Sequence, residues 1–112
     1  MSQPTNAATV QQVEAEQLYE IQVDGRRAGI VAYRDHGDQR VFYHTEVDGA
    51  YSGQGLASQL VREALTESQG QGKRIVPVCP YVAAFLKKNT EFADAADPVT
   101  PEISRWLDSA LA

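Results

Sequence analysis

Cysteine is nearly missing from this chain. Cys79 is the single one in 112 residues, so no internal disulfide can form, which agrees with a reducing compartment. Histidine is scarce too: His36, His44 and Cys79 have no paired ligand spacing, and neither a structural zinc site nor any other metal centre is expected. Long apolar runs are lacking, none approaching the roughly 18 residues of a membrane-spanning helix. No Lys or Arg precedes Arg26, so no signal or transit segment is expected, and no membrane partner. Positive charge is in short supply as well. Against 15 acidic residues stand 10 Lys and Arg, a formal net charge of −5. That balance argues against a nucleic-acid partner, whose binding depends on neutralising phosphates, and leans toward a cationic substrate. These deficits together place the chain in the cytoplasm. They leave open its oligomeric state.

What is present is an ordinary globular composition, 43% hydrophobic and 22% charged, enough for one domain with a real core. Residues 1–12 are polar, with Pro4, Asn6 and several Gln, and read as a flexible tail ahead of a single domain over 13–112. Tyr19, Ile21 and Val23 alternate with polar neighbours, and Asp24-Gly25 is a hairpin signal. Ala28 to Tyr33 is apolar throughout, as a central strand would be, and Asp35-His36-Gly37-Asp38 supplies the next turn. In Val41 to Val47 strict alternation puts Val41, Tyr43, Thr45 and Val47 on one face and Phe42, His44 and Glu46 on the other.

Beyond this strand, Leu56, Ala57, Leu60, Val61, Ala64 and Leu65 recur at helical intervals. Arg62, Glu63, Glu67 and Ser68 fall off that stripe, and Gly70 and Gly72 are stop signals. Arg74 to Val78 reads as a strand reached by a helical crossover, hence parallel to the one before it. Pro80 then opens a helix with apolar positions Val82, Ala83, Phe85 and Leu86. After the break at Asp97-Pro98, Thr100 is an N-cap, Pro101 the first helical residue and Glu102 an early acid. Ile103, Trp106, Leu107 and Ala110 make the stripe of a last helix. The order is three strands, helix, strand, helix, helix: an α/β (α+β) fold with a small mixed sheet of antiparallel strands plus one crossover parallel strand. Its open side is covered by the last helix or by a second subunit.

The junction Val47-Asp48-Gly49-Ala50-Tyr51-Ser52-Gly53-Gln54-Gly55-Leu56-Ala57 carries the chemistry. A glycine-rich turn between strand and helix aims unpaired N–H groups, and the positive end of the helix dipole, at an anion. No Gly-x-x-x-x-Gly-Lys-Ser/Thr is present, and Gly53-Gln54-Gly55 lacks the third glycine of a dinucleotide fingerprint. A nucleotide-bearing ligand fits, but not through either of those two loops.

Ser52-Gly53-Gln54-Gly55-Leu56-Ala57 resembles motif A of the GNAT superfamily of N-acetyltransferases. Ser52 stands where that pattern has Arg or Gln, which removes one side-chain phosphate contact. His44-Thr45-Glu46-Val47 before the loop, Val76-Pro77-Val78-Cys79-Pro80-Tyr81-Val82 after it and Asn89-Thr90-Glu91-Phe92 beyond are similar to a short subfamily of minimal GNAT-like proteins. The resemblance runs from about Tyr19 to Phe92 and implies a truncated GNAT-like core. It also implies acetyl-CoA as co-substrate and an amine, of a small molecule or a protein lysine, as acceptor. Gly53, Gln54, Gly55, Leu56 and Ala57 would then offer amides to the pyrophosphate, with the Ser52 hydroxyl beside them. Val47 would bond the pantetheine arm through its main chain, and Tyr81 would either flank the cofactor or fill the core. Lys73-Arg74 and Lys87-Lys88 are either solvated surface pairs or cations within reach of that anionic ligand.

Two residues are candidates for catalysis. Cys79, between a strand end and a helix start, sits where a helix dipole favours a thiolate, although a lone cysteine after an apolar strand is equally a packing residue. In an acetyl transfer it would carry the acetyl group as a thioester or, preferably, protonate the departing thiolate while the amine attacks directly. His44 is either a structural strand histidine or a general base oriented by Glu46. Two other readings stand beside the enzyme: a non-catalytic acyl-CoA-binding or protein-interaction module, and a hydrolase with Cys79 as nucleophile, which needs a paired base. His36 reads as exposed turn polarity, and Trp106 as core or interface.

Overall fold

The computed structural model describes residues 8–51 and 55–112. Five strands form one sheet in the order β1-β2-β3-β4-β5: β1 (Ala8–Val13), β2 (Leu18–Val23), β3 (Arg26–His36), β4 (Gln39–Val47) and β5 (Arg74–Pro77). The first four are antiparallel neighbours, and β5 lies parallel to β4. Helix α1 (Leu56–Gly70) makes the crossover, α2 (Pro80–Lys88) follows β5, and α3 (Pro101–Leu111) ends the chain. The expected mixed sheet and crossover are therefore present. The β2–β3 hairpin turns on Asp24 (φ 52°) and Gly25 (φ 80°), the pair of positive φ values that a type I′ turn requires.

The tail expected over residues 1–12 is corrected in its second part. Ala8–Val13 is an edge strand, paired with β2 from Ala8↔Val23 to Val13↔Leu18, while residues 1–7 lie outside the described residues. Its polar residues are those of a half-exposed edge: Val10 packs against the core, while Gln11 and Gln12 donate to Glu20 and to the Tyr33 hydroxyl.

The main core lies between the sheet and α1. Tyr19, Ile21, Val31, Tyr33, Phe42 and Ile75 meet Leu56, Leu60, Val61, Ala64 and Leu65, nearly all fully buried. Each Val, Leu, Ile or Phe among them contributes roughly 1.5–3 kcal/mol on burial, whereas an isolated helix of this length is marginal in water, so packing holds α1 in place. Ser68 belongs to this buried stripe rather than off it. It lies four residues after Ala64 and seven after Val61, is fully buried, and shares a 3.1 Å hydrogen bond with the Tyr19 hydroxyl. Polarity had masked its periodicity.

The opposite face carries a smaller core of Val41, Val76, Ile103 and Leu107, with Tyr43, Val78 and Trp106 at its edge. Helix α3 thus covers the β4–β5 part of the side that the sequence left open. Thr100 caps it, its Oγ1 accepting from the Ile103 N–H at 3.2 Å. Ala110 is exposed and not part of the stripe. His36 ends β3 and tilts against Trp106, ring centroids 4.4 Å apart, so it does more than polarise a turn.

A bulge sets the geometry of β4. Ala32 pairs with His44 and Tyr33 with Phe42, which leaves Tyr43 as an extra residue; an inserted residue of this kind inverts the alternation beyond it. Phe42 and Val47 accordingly face α1 together, and Val41 and Tyr43 face α3. The strict alternation expected from the sequence fails at this residue. His44 and Glu46 still share a face.

Candidate functional site

Strands β4 and β5 stop pairing at Phe42↔Pro77. Pro77 has no N–H to continue the ladder, the Val78 N–H folds back to the Val76 carbonyl at 3.1 Å, and the Cys79 N–H donates to the Phe42 carbonyl at 2.8 Å. From there β4 runs on to Val47 while the other chain turns into α2, so the two part like the arms of a V. The Asp48 N–H donates to the Ala28 carbonyl at 2.7 Å. Because hydrogen-bonding direction alternates along an antiparallel strand, Glu46 and His44 also direct their main-chain groups at β3. Those of Val47 and Thr45 then point toward the open arm.

At the mouth of this V lies a cavity of about 270 Å³ lined by Val47, Tyr51, Gly55, Leu56, Ala57, Ser58 and Tyr81. Gly55 precedes α1 in the left-handed region (φ 73°), and among the described residues no side chain caps the helix. Its first N–H groups have no acceptor within the helix, and no acidic residue occupies its first turn, so the positive end of a 15-residue helix is left without a carboxylate of its own. Amides, a dipole and a cavity with no carboxylate in its lining suit a diphosphate-bearing molecule. Val47, Gly55, Leu56, Ala57 and Tyr81, separate candidates in the sequence, are thus brought together. Ser52, Gly53 and Gln54 lie outside the described residues.

Cys79 is buried, 4% exposed, and is the residue that precedes α2. Its Sγ lies 3.1 Å from Thr45 Oγ1, which ties the thiol to the open arm of β4. Among the described residues the hydrogen-bond partner of the thiol is thus a hydroxyl, not the base that a cysteine hydrolase requires.

His44 is not beside Cys79. Thr45 faces the thiol, and its neighbour on a regular stretch of strand faces away. The imidazole Nε2 instead lies 2.7 Å from Glu46 Oε2, with both side chains more than half exposed. Neither the thiol nor the imidazole lines the cavity at the start of α1. The sequence had singled out neither Thr45, Ser58 nor Tyr51. Thr45 was hidden by the bulge, whereas Ser58 could have been found from its place in the first turn of α1.

The basic pairs separate. Lys73 bonds the Gly37 carbonyl at 3.1 Å and lies 3.6 Å from Asp35, while Arg74 Nε donates to Asp97 at 2.7 Å. Both stand where β5 begins, the length of α1 away from its N-terminus, about 22 Å at 1.5 Å per residue. They are too distant to serve an anion at the cavity. Gln39 donates to Asp97, and this bond, ahead of the Arg74 contact, holds the Asp97 carboxyl below the usual range despite burial.

That far end also holds a buried network. Arg40 donates to both oxygens of Asp35 (2.8 and 3.0 Å), to the Tyr19 hydroxyl (2.8 Å) and to Gln71 Oε1 (2.9 Å), and its guanidinium lies over the Tyr33 ring at 4.4 Å. Burial pushes the Asp35 carboxyl up, but the hydrogen bonds and charge of Arg40, aided by Lys73, outweigh it and hold it below the ordinary range. Burial likewise raises the Tyr19 phenol, against the lowering effects of Ser68 and Arg40.

Residues 18–95 match the GCN5-related N-acetyl-transferase family. This chain belongs to that family. Its fold is similar to that of a GCN5-like protein from Staphylococcus aureus solved by NMR, with TM-score 0.63, 18% identity, and 83% of this chain and 91% of that one covered. It also resembles the ribosomal-protein-S18-alanine N-acetyltransferase from Escherichia coli, with TM-score 0.55, 18% identity, and 65% and 52% covered. No curated protein matches the sequence. The chain is thus a GNAT-type N-acetyltransferase built on a five-stranded sheet.

Proposed function

We propose that the protein transfers the acetyl group of acetyl-CoA to an amine, of a small molecule or a protein lysine, by direct attack in a ternary complex. The observation that carries this reading is the cavity between the open arm of β4 and the start of α1. The amides of Gly55, Leu56, Ala57 and Ser58 hold the diphosphate, with Ser52, Gly53 and Gln54 completing the loop by sequence. The main chain of Val47 and Thr45 bonds the pantetheine arm. Acetyl-CoA supplies an activated acyl group, and the protein contributes position and proton transfer.

The amine attacks the thioester carbonyl carbon as the carbon–sulfur bond breaks. Cys79 donates its proton to the departing sulfur, held in place by Thr45, and the nitrogen loses a proton to His44, directly or through water, with Glu46 orienting the ring. The approach of the amine from the His44 face and of the cofactor from the α1 face suits the opposed positions of the two side chains. With no helix of the described residues long and apolar enough to cross a membrane, a cytoplasmic location fits this chemistry.

The burial of Cys79 favours one alternative, a CoA-binding module without turnover. Calorimetry with CoA and acetyl-CoA, followed by a free-thiol assay over amines and lysine peptides, separates the two. We expect saturable binding and amine-dependent thiol release, with Cys79→Ala lowering turnover at least about tenfold while leaving CoA affinity within about twofold. Binding without thiol release for any acceptor would support the module. No binding at millimolar ligand by a protein shown folded by dichroism would remove both readings.

A further inference from the structure

The two edges of the sheet are finished differently. Outside β5 the chain returns: Ala96 bridges Ile75 in parallel, and the Asp97 N–H donates to the Ile75 carbonyl at 2.7 Å. Outside β1 no strand follows among the described residues. The Tyr33 N–H donates to the Gln17 carbonyl, and hydrogen-bonding direction alternates along an antiparallel strand. Tyr19 therefore turns its main chain to β3, while Leu18 and Glu20 turn theirs to their β1 partners Val13 and Gln11. The N–H and C=O groups of Val10 and Gln12 then point outward, and among the described residues none of the four meets a partner.

Such an edge is normally blunted by Lys, Pro or a bulge. Strand β1 has none of these: it reads Ala-Thr-Val-Gln-Gln-Val and pairs with β2 over all six residues without a register shift. Negative charge is drawn up beside it. Gln59 donates to the Ala8 carbonyl at 3.3 Å and to Glu63 at 2.9 Å, and Gln71 donates to the Gln12 side chain at 2.9 Å. The row Gln59, Glu63, Glu67, Gln71, at four-residue spacing along α1 and its cap, thus runs parallel to β1. Glu63 and Glu67 fall in the middle of it, both exposed, and neither takes part in an ion pair among the described residues. Four helical residues rise about 6.0 Å, close to the ~6.7 Å between alternate residues of a strand.

We propose that β1 is a docking edge for a partner protein, which adds to the sheet an extended segment carrying Lys or Arg at every second residue. The main chain of that segment bonds the outward groups of Val10 and Gln12. Its basic side chains lie on the α1 side, in step with Glu63 and Glu67, so backbone pairing supplies affinity and the alternate side chains supply selectivity. A second copy of this chain fits less well. Two β1 strands paired about a two-fold axis would bring both Glu63–Glu67 rows to one interface, in molecules of net charge −5, and like charges oppose that. Because β1 is the edge away from β5, the docking edge is independent of the CoA reading.

The test is fluorescence anisotropy with a labelled peptide, Thr-Lys-Val-Lys-Thr-Lys-Val, and with its counterpart in which Glu replaces every Lys. The lysine peptide should bind at least about tenfold more tightly than the glutamate one, with a preference that shrinks as salt rises. Glu63→Gln combined with Glu67→Gln should weaken the lysine peptide about fivefold, the scale of two exposed ion pairs, while Glu102→Gln on α3 leaves it unchanged. The peptide N-methylated on alternate residues tests strand pairing without altering the protein: one of the two phases should abolish binding and the other spare it. Equal binding of the two peptides, full affinity in the double variant, or indifference to N-methylation in both phases would overturn the proposal. So would sedimentation equilibrium that shows a stable dimer from which the peptide is excluded, because the edge would then belong to a second copy.

Discussion

The two ends of β4 are built to opposite rules. At its N-terminal end charge is matched: Arg40 is enclosed by Asp35, Tyr19, Ser68 and Gln71, Arg74 by Asp97, and Lys73 by Asp35 and a carbonyl. At its C-terminal end β5 has left, the amides that open α1 have no side-chain cap among the described residues, and Tyr81 is exposed. A single strand therefore carries a satisfied end that supports the fold and an unsatisfied end open to a ligand. Unmet hydrogen-bonding capacity and unpaired charge lower stability or wait for a partner, and they are concentrated where a partner can enter.

Several changes would break or sharpen this contrast. The largest effect is expected from Arg40→Met, which leaves Asp35 and the Tyr19 hydroxyl without their main partner. Removing one member of a buried pair costs 3–5 kcal/mol, and the one-third exposure of Asp35 softens it, so about 3 kcal/mol is expected by urea denaturation. CoA affinity of the folded fraction should be unchanged. A loss of affinity equal to the loss of stability would show that the ends are not separate.

Acid should weaken that end too, together with Glu20, which lies across the sheet level with Glu46. Burial raises the carboxyls of Asp35 and Glu20, but their donors more than compensate. For Glu20 these are Arg27 at 2.7 Å and Gln11 and Gln22 at 2.6 Å each. Both carboxyls lie below the usual range in the fold, as does Asp97. As pH falls the unfolded chain takes up these protons first. Their stabilisation is therefore fully present above the ordinary carboxylate range and is lost as pH drops through the lower folded values. Thermal melts from pH 7 to pH 3 should show the midpoint fall below that range, and a flat profile would contradict the network.

The smallest effect is expected at Lys73. Lys73→Gln should lower stability by less than about 1 kcal/mol, as partly exposed pairs do, and leave CoA binding as it was. An altered CoA affinity in this variant would show that the two ends of β4 are not separate.

Much of this was legible in the residues. The stripe of α1, the Pro80 and Thr100-Pro101 helix starts and the Asp24-Gly25 turn are local signals that tertiary packing did not alter. The errors have local causes too. Edge strands carry polar residues by nature, so Ala8–Val13 resembled a tail; Ser68 was judged by polarity when its spacing placed it inside; and one extra residue at Tyr43 inverted the expected faces of β4.

The order and type of most elements, and the loop that can cradle an anion, follow from side-chain spacing and backbone freedom, which act over a few residues and can be read along the chain. Which atoms meet across that loop is another matter. Thr45 rather than His44 beside Cys79, Tyr81 beside the first turn of α1, and the parting of β4 from β5 depend on strand register and on how the helices pack. Those are settled by how distant segments pack, because a shift of a single residue turns a side chain to the other face.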